Sequence, residues 1–224
     1  MKLALIGYGK MGKAIEAESI KRGHTIGVTL DNEQDWMHRL DELRGCDMAV
    51  DFSTPDTAVS NIMRCFDLGL PIVVGTTGWY DQLESVVHDC RQRGQALFVA
   101  SNFSIGMNIM FDLNRRLAAL MNRYGDYDVS ISETHHIHKL DAPSGTAASL
   151  AKIVGGEMGC EVPIESRRIG EVAGIHELTL ESGCDKITLT HEAYSRKGFA
   201  EGAVSAALLT EGIEGVHEFK DIII

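Results

Sequence analysis

An α/β fold is predicted: a parallel-sheet domain followed by an α+β domain with a mixed sheet. Three observations predict it. Over the first hundred residues, short apolar runs alternate with helical patterns, the pattern of a parallel sheet covered on both faces. A glycine-rich turn, Gly7-Tyr8-Gly9-Lys10-Met11-Gly12, stands between the first apolar run and the first helical pattern. Beyond Phe103 strands neighbour strands, which calls for a mixed or antiparallel layer.

Taken in order, Lys2 to Ile6 is a strand, and a helical pattern carries Met11, Ala14, Ile15 and Ala17 toward Arg22. Between them Gly7 permits the tight turn, Gly9 lets a pyrophosphate approach the backbone, and Gly12 lets the helix pack on its strand, as in Rossmann-like domains. His24 to Leu30 is the second strand. Asp31 closes it at the distance from Gly12, about twenty residues, expected of a ribose-binding carboxylate. Asn32-Glu33 follows rather than Arg or Lys. A carboxylate without a neighbouring cation repels a 2′-phosphate, so NADH is favoured over NADPH. Trp36, Leu40 and Leu43 predict a short amphipathic helix. Met48 to Phe52 is a third strand, and Ser53-Thr54-Pro55 opens a helix. Pro71 to Val74 is a fourth strand ending in Gly75-Thr76-Thr77-Gly78, Tyr80 to Arg93 a helix, and Ala96 to Ala100 a fifth strand ending in Ser101-Asn102-Phe103. Ligands of such sheets bind beyond the carboxyl ends of the strands, where these loops lie.

Ile109, Met110, Leu113, Leu117 and Leu120 then form a helix. From Tyr127 to His138 apolar and polar residues alternate with period two, the signature of a half-buried strand. Glu133 and His135 fall on its apolar side, where a titratable group needs a reason to be. Asp141-Ala142-Pro143 breaks the pattern, and Ser144 is an N-cap for a helix through Ala147, Leu150, Ala151 and Val154. Imidazoles, the Lys139 ammonium and free backbone N–H groups thus converge, which suits an anion that must receive a proton. The same residues also fit a solvated polar strand edge. A metal is not expected, because His135 and His136 point to opposite faces and could not easily share one ion. Glu177 to Leu180 and Lys186 to Ala193 are strands joined around Ser182-Gly183-Cys184, and Phe199 onward is helical.

Composition sets the partners. The 224 residues carry 21 Lys plus Arg against 32 Asp plus Glu, a formal charge of -11. That disfavours nucleic acid and anionic membrane surfaces, and requires a local positive pocket for any anionic substrate. No apolar run long enough to span a bilayer occurs, Met1-Lys2 leads directly into the first strand, and Cys46, Cys65, Cys90, Cys160 and Cys184 lack C-x-x-C spacing. A cytoplasmic protein with reduced thiols is the expectation.

These residues together carry a resemblance to the 4-hydroxy-tetrahydrodipicolinate reductase (dihydrodipicolinate reductase) family. Glu133 to Ala147 fits E-x-H-H-x-x-K-x-D-A-P-S-G-T-A at every fixed position. Gly7 to Gly12, Gly75 to Gly78, Ala100 to Ser104 and His191 to Ala203 support it in order. The resemblance implies NAD(P)H-dependent reduction of a cyclic dicarboxylate in lysine and diaminopimelate biosynthesis, two domains that close on the ligands, and a homotetramer. It implies a dinucleotide domain over 1–103 to which 199–224 returns, and a substrate-binding and oligomerisation domain over 104–198. By position, His135 resembles the acid/base residue and Lys139 the proton donor, while His136, Gly145 and Thr146 resemble the groups that hold substrate carboxylates. Gly7, Tyr8, Gly9, Lys10, Met11, Gly12, Asp31, Gly75, Thr76, Thr77, Ala100, Ser101, Asn102 and Phe103 would line the cofactor. The chain departs from the pattern in being shorter than many members, in lacking Arg after Asp31, and in its Ile222-Ile223-Ile224 end. Two rivals stand beside this reading. A different nicotinamide oxidoreductase would turn over another small anion, and a non-catalytic NAD(H) sensor would bind cofactor without turnover.

Overall fold

The computed structural model describes residues 1–219 and residue 221, so the Ile222-Ile223-Ile224 end lies outside the described residues. The chain forms two compact units, one of residues up to Ile105 together with the chain from Lys197, the other of Gly106–Arg196.

In the first unit six parallel strands, β1 (Lys2–Ile6), β2 (Thr25–Leu30), β3 (Met48–Asp51), β4 (Ile72–Val74), β5 (Ala96–Val99) and β10 (Gly215–His217), run in the order β10-β5-β4-β3-β1-β2. Strands buried on both faces read as continuous apolar runs, and β1, β3, β4 and β5 do so. One face is covered by α2 (Glu33–His38), α3 (Leu40–Arg44), α4 (Pro55–Asp67) and α5 (Leu83–Gln92), through Trp36, Leu43, Ile62 and Val86. The other face takes α1 (Lys10–Lys21) and α8 (Lys197–Thr210), through Ile15, Ala203, Val204 and Ala207. Small residues let α8 lie close: a Cβ on Gly202 would run into the Phe103 carbonyl.

The expected elements are present, with three differences. The helix expected around Trp36 is two helices, broken where Arg39 leaves helical geometry (φ -117, ψ 20) and its guanidinium donates to the Thr29 carbonyl at 2.9 Å. The helix expected from Tyr80 begins with a 3₁₀ turn, Tyr80–Gln82, beside the buried Trp79. A sixth strand, β10, extends the sheet; its three residues are too short to signal themselves in sequence.

The second unit is a four-stranded mixed sheet, order β7-β6-β8-β9, with one face under helices. β6 (Asp128–His135) pairs antiparallel with β8 (Gly174–Glu181), which pairs antiparallel with β9 (Lys186–Ala193). The parallel partner of β6 is β7 (Ile164–Arg168), a polar edge strand that the sequence does not announce. Ile131, Leu178 and Leu180 pack beneath α6 (Ile105–Met121) and α7 (Gly145–Met158), through Met107, Met110, Leu150 and Val154. β6 ends at His135 rather than His138. The chain turns there, with Lys139 N–H donating to the His136 carbonyl at 3.2 Å. Among the described residues no helix is long and apolar enough to cross a membrane.

Candidate active site

Because the first sheet is wholly parallel, Gly7, Asp31, Phe52, Gly75 and Ala100 all follow carboxyl ends of strands on one edge. Chain order reverses about β1, which lies between β2 and β3, and the gap beyond that switch point is where such sheets bind ligands. Gly7 sits at φ +83, and a Cβ there would strike the Phe52 carbonyl. A Cβ on Gly12 would press on the Gly7 carbonyl, so helix α1 seats against the turn only as glycine. Gly9, by contrast, faces open space, and it caps α1 without any side-chain hydrogen bond. The first-turn N–H groups thus present a positive end to an incoming anion. Asp31 is exposed and accepts from Tyr8 N–H at 2.7 Å, which ties the acid to the glycine turn. An open glycine, an uncapped helix start and an acid at the end of the second strand fit a dinucleotide.

The neighbouring loops are organised by a carboxylate that sequence reasoning missed. Asp51, fully buried, accepts from Thr76 Oγ1 (2.5 Å), Ser53 N–H (3.1 Å), Ser53 Oγ (2.9 Å) and Asn61 Nδ2 (2.9 Å). Burial pushes its carboxyl above the usual range while these donors pull it back. Thr76 is consumed by the same network: its hydroxyl also accepts from Ser53 N–H at 2.8 Å, and its carbonyl takes the Trp79 indole N–H at 2.7 Å. Gly75 lies against the Phe52 ring, where a Cβ would collide. Thr77 and Ser101 are exposed at the edge. Phe103 is buried against Phe52, Phe98 and Phe219, with ring centroids 5.2, 6.0 and 5.3 Å away, so its side chain belongs to the core.

In the second unit Glu133 is fully buried, and its partners come from its own strand, the α7 cap and β7. Oε2 meets His135 Nδ1, Oε1 lies 2.9 Å from Arg168 Nη1, and Ser144 N–H donates to Oε1 at 3.3 Å. Burial works to raise the Glu133 pKa, but the hydrogen bonds from Ser166, Arg168 and His135 together hold it below the ordinary carboxylate range. Burial pushes His135 below its ordinary value. The Glu133 hydrogen bond opposes this, and the Lys139 and Arg168 charges add to the lowering. A carboxylate facing Nδ1 fixes the proton of the neutral ring there and leaves Nε2 as the reactive nitrogen.

One rung of this sheet is polar across all four strands: Ser166, Glu133, His176 and His191 are successive cross-strand partners. His176, 6% exposed, stands edge-on to the His135 ring at 5.1 Å, and its Nε2 lies 3.2 Å from Ser144 Oγ. Ser144 caps α7 by accepting Ala147 N–H at 3.2 Å. The cap, the imidazole and the buried acid therefore form one connected group. Gly145 is exposed with open space at its Cβ position, and Thr146 is half-buried beside it. The loop before α7 carries a cis Ala142-Pro143 bond and the Lys139 ammonium, 2.8 Å from Asp141 Oδ1. His136 Nδ1 is buried without a hydrogen-bond partner among the described residues, and the His136 and His138 rings lie 5.9 Å apart. Among the described residues no group of three or more His, Cys, Asp or Glu is arranged for a metal ion. His176 was detectable in sequence as a titratable residue alternating with Gly174, Leu178 and Leu180; Arg168, at the end of a polar run, was not.

Comparison with known proteins bears on both units. Family models described as the N-terminus and the C-terminus of dihydrodipicolinate reductase match residues 1–103 and 106–223. The chain is 43% identical to the 4-hydroxy-tetrahydrodipicolinate reductase of Christiangramia forsetii, over 100% of this chain and 98% of that one. It is 34% identical to the protein of the same name from Methanopyrus kandleri, over 80% and 72% of the two chains. Among solved structures, a dipicolinate-bound dihydrodipicolinate reductase from a Paenisporosarcina species has the same fold, with a TM-score of 0.83 at 23% identity over 97% of both chains. With both halves matched and a relative this similar along its whole length, the chain belongs to the dihydrodipicolinate reductase family of oxidoreductases.

Proposed function

We propose that the protein catalyses NAD(P)H-dependent reduction of 4-hydroxy-tetrahydrodipicolinate to tetrahydrodipicolinate, the reduction for which its relatives are named, as a step of lysine and diaminopimelate biosynthesis. The observation that carries this reading is the Glu133–His135 pair set beside Lys139 and the capped start of α7. When bound, the reduced nicotinamide supplies a hydride to carbon four of the ring. The substrate hydroxyl leaves as water with a proton from carbon three, which gives the conjugated ring that takes the hydride, and a proton delivered to carbon three then meets the negative charge that builds up. Lys139, His136 and the Gly145 and Thr146 backbone N–H groups hold the two carboxylates, creating the local positive charge that a chain of net charge -11 otherwise lacks. His135 rests neutral, its ring turned by Glu133. Arrival of a dianion favours its protonated form, so it takes up a proton and delivers it from Nε2, with Lys139 as the neighbouring donor.

Gly7 to Gly12, Asp31, Gly75 to Thr77 and Ala100 to Phe103 hold the dinucleotide, Thr76 and Phe103 through their backbones. Asp31, exposed and followed by Asn32, favours NADH. A kcat/KM higher for NADPH than for NADH would overturn that preference. The reading carries with it a homotetramer and a cytoplasmic setting. The decisive experiment is turnover with freshly made substrate: His135→Gln and Lys139→Ala are each expected to lower kcat by about 10² or more. Near-normal rates in both would remove the assignment.

A further inference from the structure

Arg168 ends β7 directly beside His135, its Cα partner in the sheet. The guanidinium is largely buried, its side chain 19% exposed, and every acceptor it reaches belongs to the His135–Lys139 region or to its own strand. Nη1 meets Glu133 Oε1 at 2.9 Å and the Arg167 carbonyl at 2.7 Å. Nη2 donates to the Asp141 carbonyl at 2.5 Å, and Nε to the Lys139 carbonyl at 3.3 Å. One planar cation therefore touches the acid that orients His135 and the backbone that carries Lys139. A guanidinium presents five donors in a fixed fork, whereas an ammonium is a single point charge that cannot span acceptors on separate segments.

We propose that Arg168 is a positioning residue that couples the two proton-handling groups: it neutralises Glu133 behind His135 and clamps the loop that holds Lys139. This role rests on the assignment of His135 and Lys139 above. The titratable and charged groups around it are Glu133 and His135 on β6 and Lys139 and Asp141 on the loop, with His176 of β8 behind His135 and His191 of β9 behind His176. Of these, His135 is the imidazole whose ring nitrogen meets the carboxylate that Arg168 balances. Removing the guanidinium leaves Glu133 uncompensated, so the His135 proton is held more tightly and its titration moves to higher pH.

The test uses Arg168→Ala and Arg168→Lys in the full chain. Three quantities are measured: kcat and KM against pH, the His135 imidazole titration by NMR, and thermal unfolding. In Arg168→Ala, kcat falls about ten- to a hundredfold, as expected when a reacting group is misplaced by about an ångström. The His135 titration moves upward, and added guanidinium chloride returns it toward the original pH, which a merely structural role would not do. In Arg168→Lys the titration stays near the wild-type position while kcat remains low, because charge is kept and the clamp is lost. An unmoved His135 titration in Arg168→Ala, or full kcat in Arg168→Lys, overturns the proposal. If Arg168→Ala fails to fold, the split between titration and kcat in Arg168→Lys decides alone. Absence of turnover by the wild-type protein would sink the proposed reaction, while the NMR titration, which needs no turnover, still decides whether Arg168 governs His135.

Discussion

Thr76 separates what a residue's position suggests from what its side chain does. It stands in the Gly75-Thr76-Thr77-Gly78 loop expected to line a cofactor, yet it is 6% exposed, and its hydroxyl joins the buried Asp51 to the Ser53 backbone. Replacing it with valine keeps the shape and removes two hydrogen bonds, one to the buried carboxylate and one from the Ser53 amide, leaving Asp51 with its Ser53 and Asn61 donors. A hydrogen bond to a charged group contributes about 1.5–3 kcal/mol. Thr76→Val is therefore expected to lower stability by about 2 kcal/mol in urea titration and to weaken cofactor binding only as a consequence. A variant of full stability with selectively lost cofactor affinity would mean that the hydroxyl meets the ligand instead.

At the scale of elements, the polar rung across the second sheet makes stability depend on pH. Burial drives the His176 pKa from 6.5 to about 4, with the His135 charge adding to the fall, and burial lowers His135 in the same direction. The unfolded chain binds protons at both histidines below about pH 6.5, and the native chain resists doing so. Their contribution is thus present above that pH and lost as pH falls toward about 4. The urea midpoint is expected to drop through this window, and to drop less steeply in His176→Gln; equal slopes would refute the linkage. The same sheet marks where the sequence was legible. β6 was readable because eight residues alternate cleanly, and Ser144 because a serine before an apolar helical pattern has one obvious use. β7 was not, since Ile164–Arg168 is a polar edge whose half-buried face carries Ser166 and Arg168 beside a single apolar residue, and its worth lies in Arg168, whose partners come from distant positions. Asp51 was hidden for a related reason. At the end of an apolar strand an acid reads as a boundary, and only the fold brings Thr76 and Asn61 to it. Local grammar thus exposes glycine turns, caps and periodic strands, while groups that orient other groups surface only once the chain is folded.

For the whole molecule, the residues assigned to the dinucleotide fall in the first compact unit and those assigned to the diacid in the second. Hydride delivery needs the reacting atoms within about 3–3.5 Å, so the proposed reaction requires the two bound ligands to share one environment during turnover. Binding free energies are reciprocal: if one ligand favours the productive arrangement, it tightens the other by the same factor. Fluorescence titration of NADH with and without pyridine-2,6-dicarboxylate, an unreactive stand-in for the substrate, is therefore expected to show mutual tightening of about fivefold or more. Two properties of this chain sharpen the expectation. With a formal charge of -11 the chain gives one bound anion no electrostatic reason to help a second, so tightening has to come from the productive arrangement itself. Lys139→Ala, which removes the ammonium proposed to hold the diacid, should abolish the coupling while leaving the affinity for NADH alone unchanged. Strictly independent binding in the wild-type protein would contradict hydride transfer between these two groups of residues, whatever each unit binds by itself.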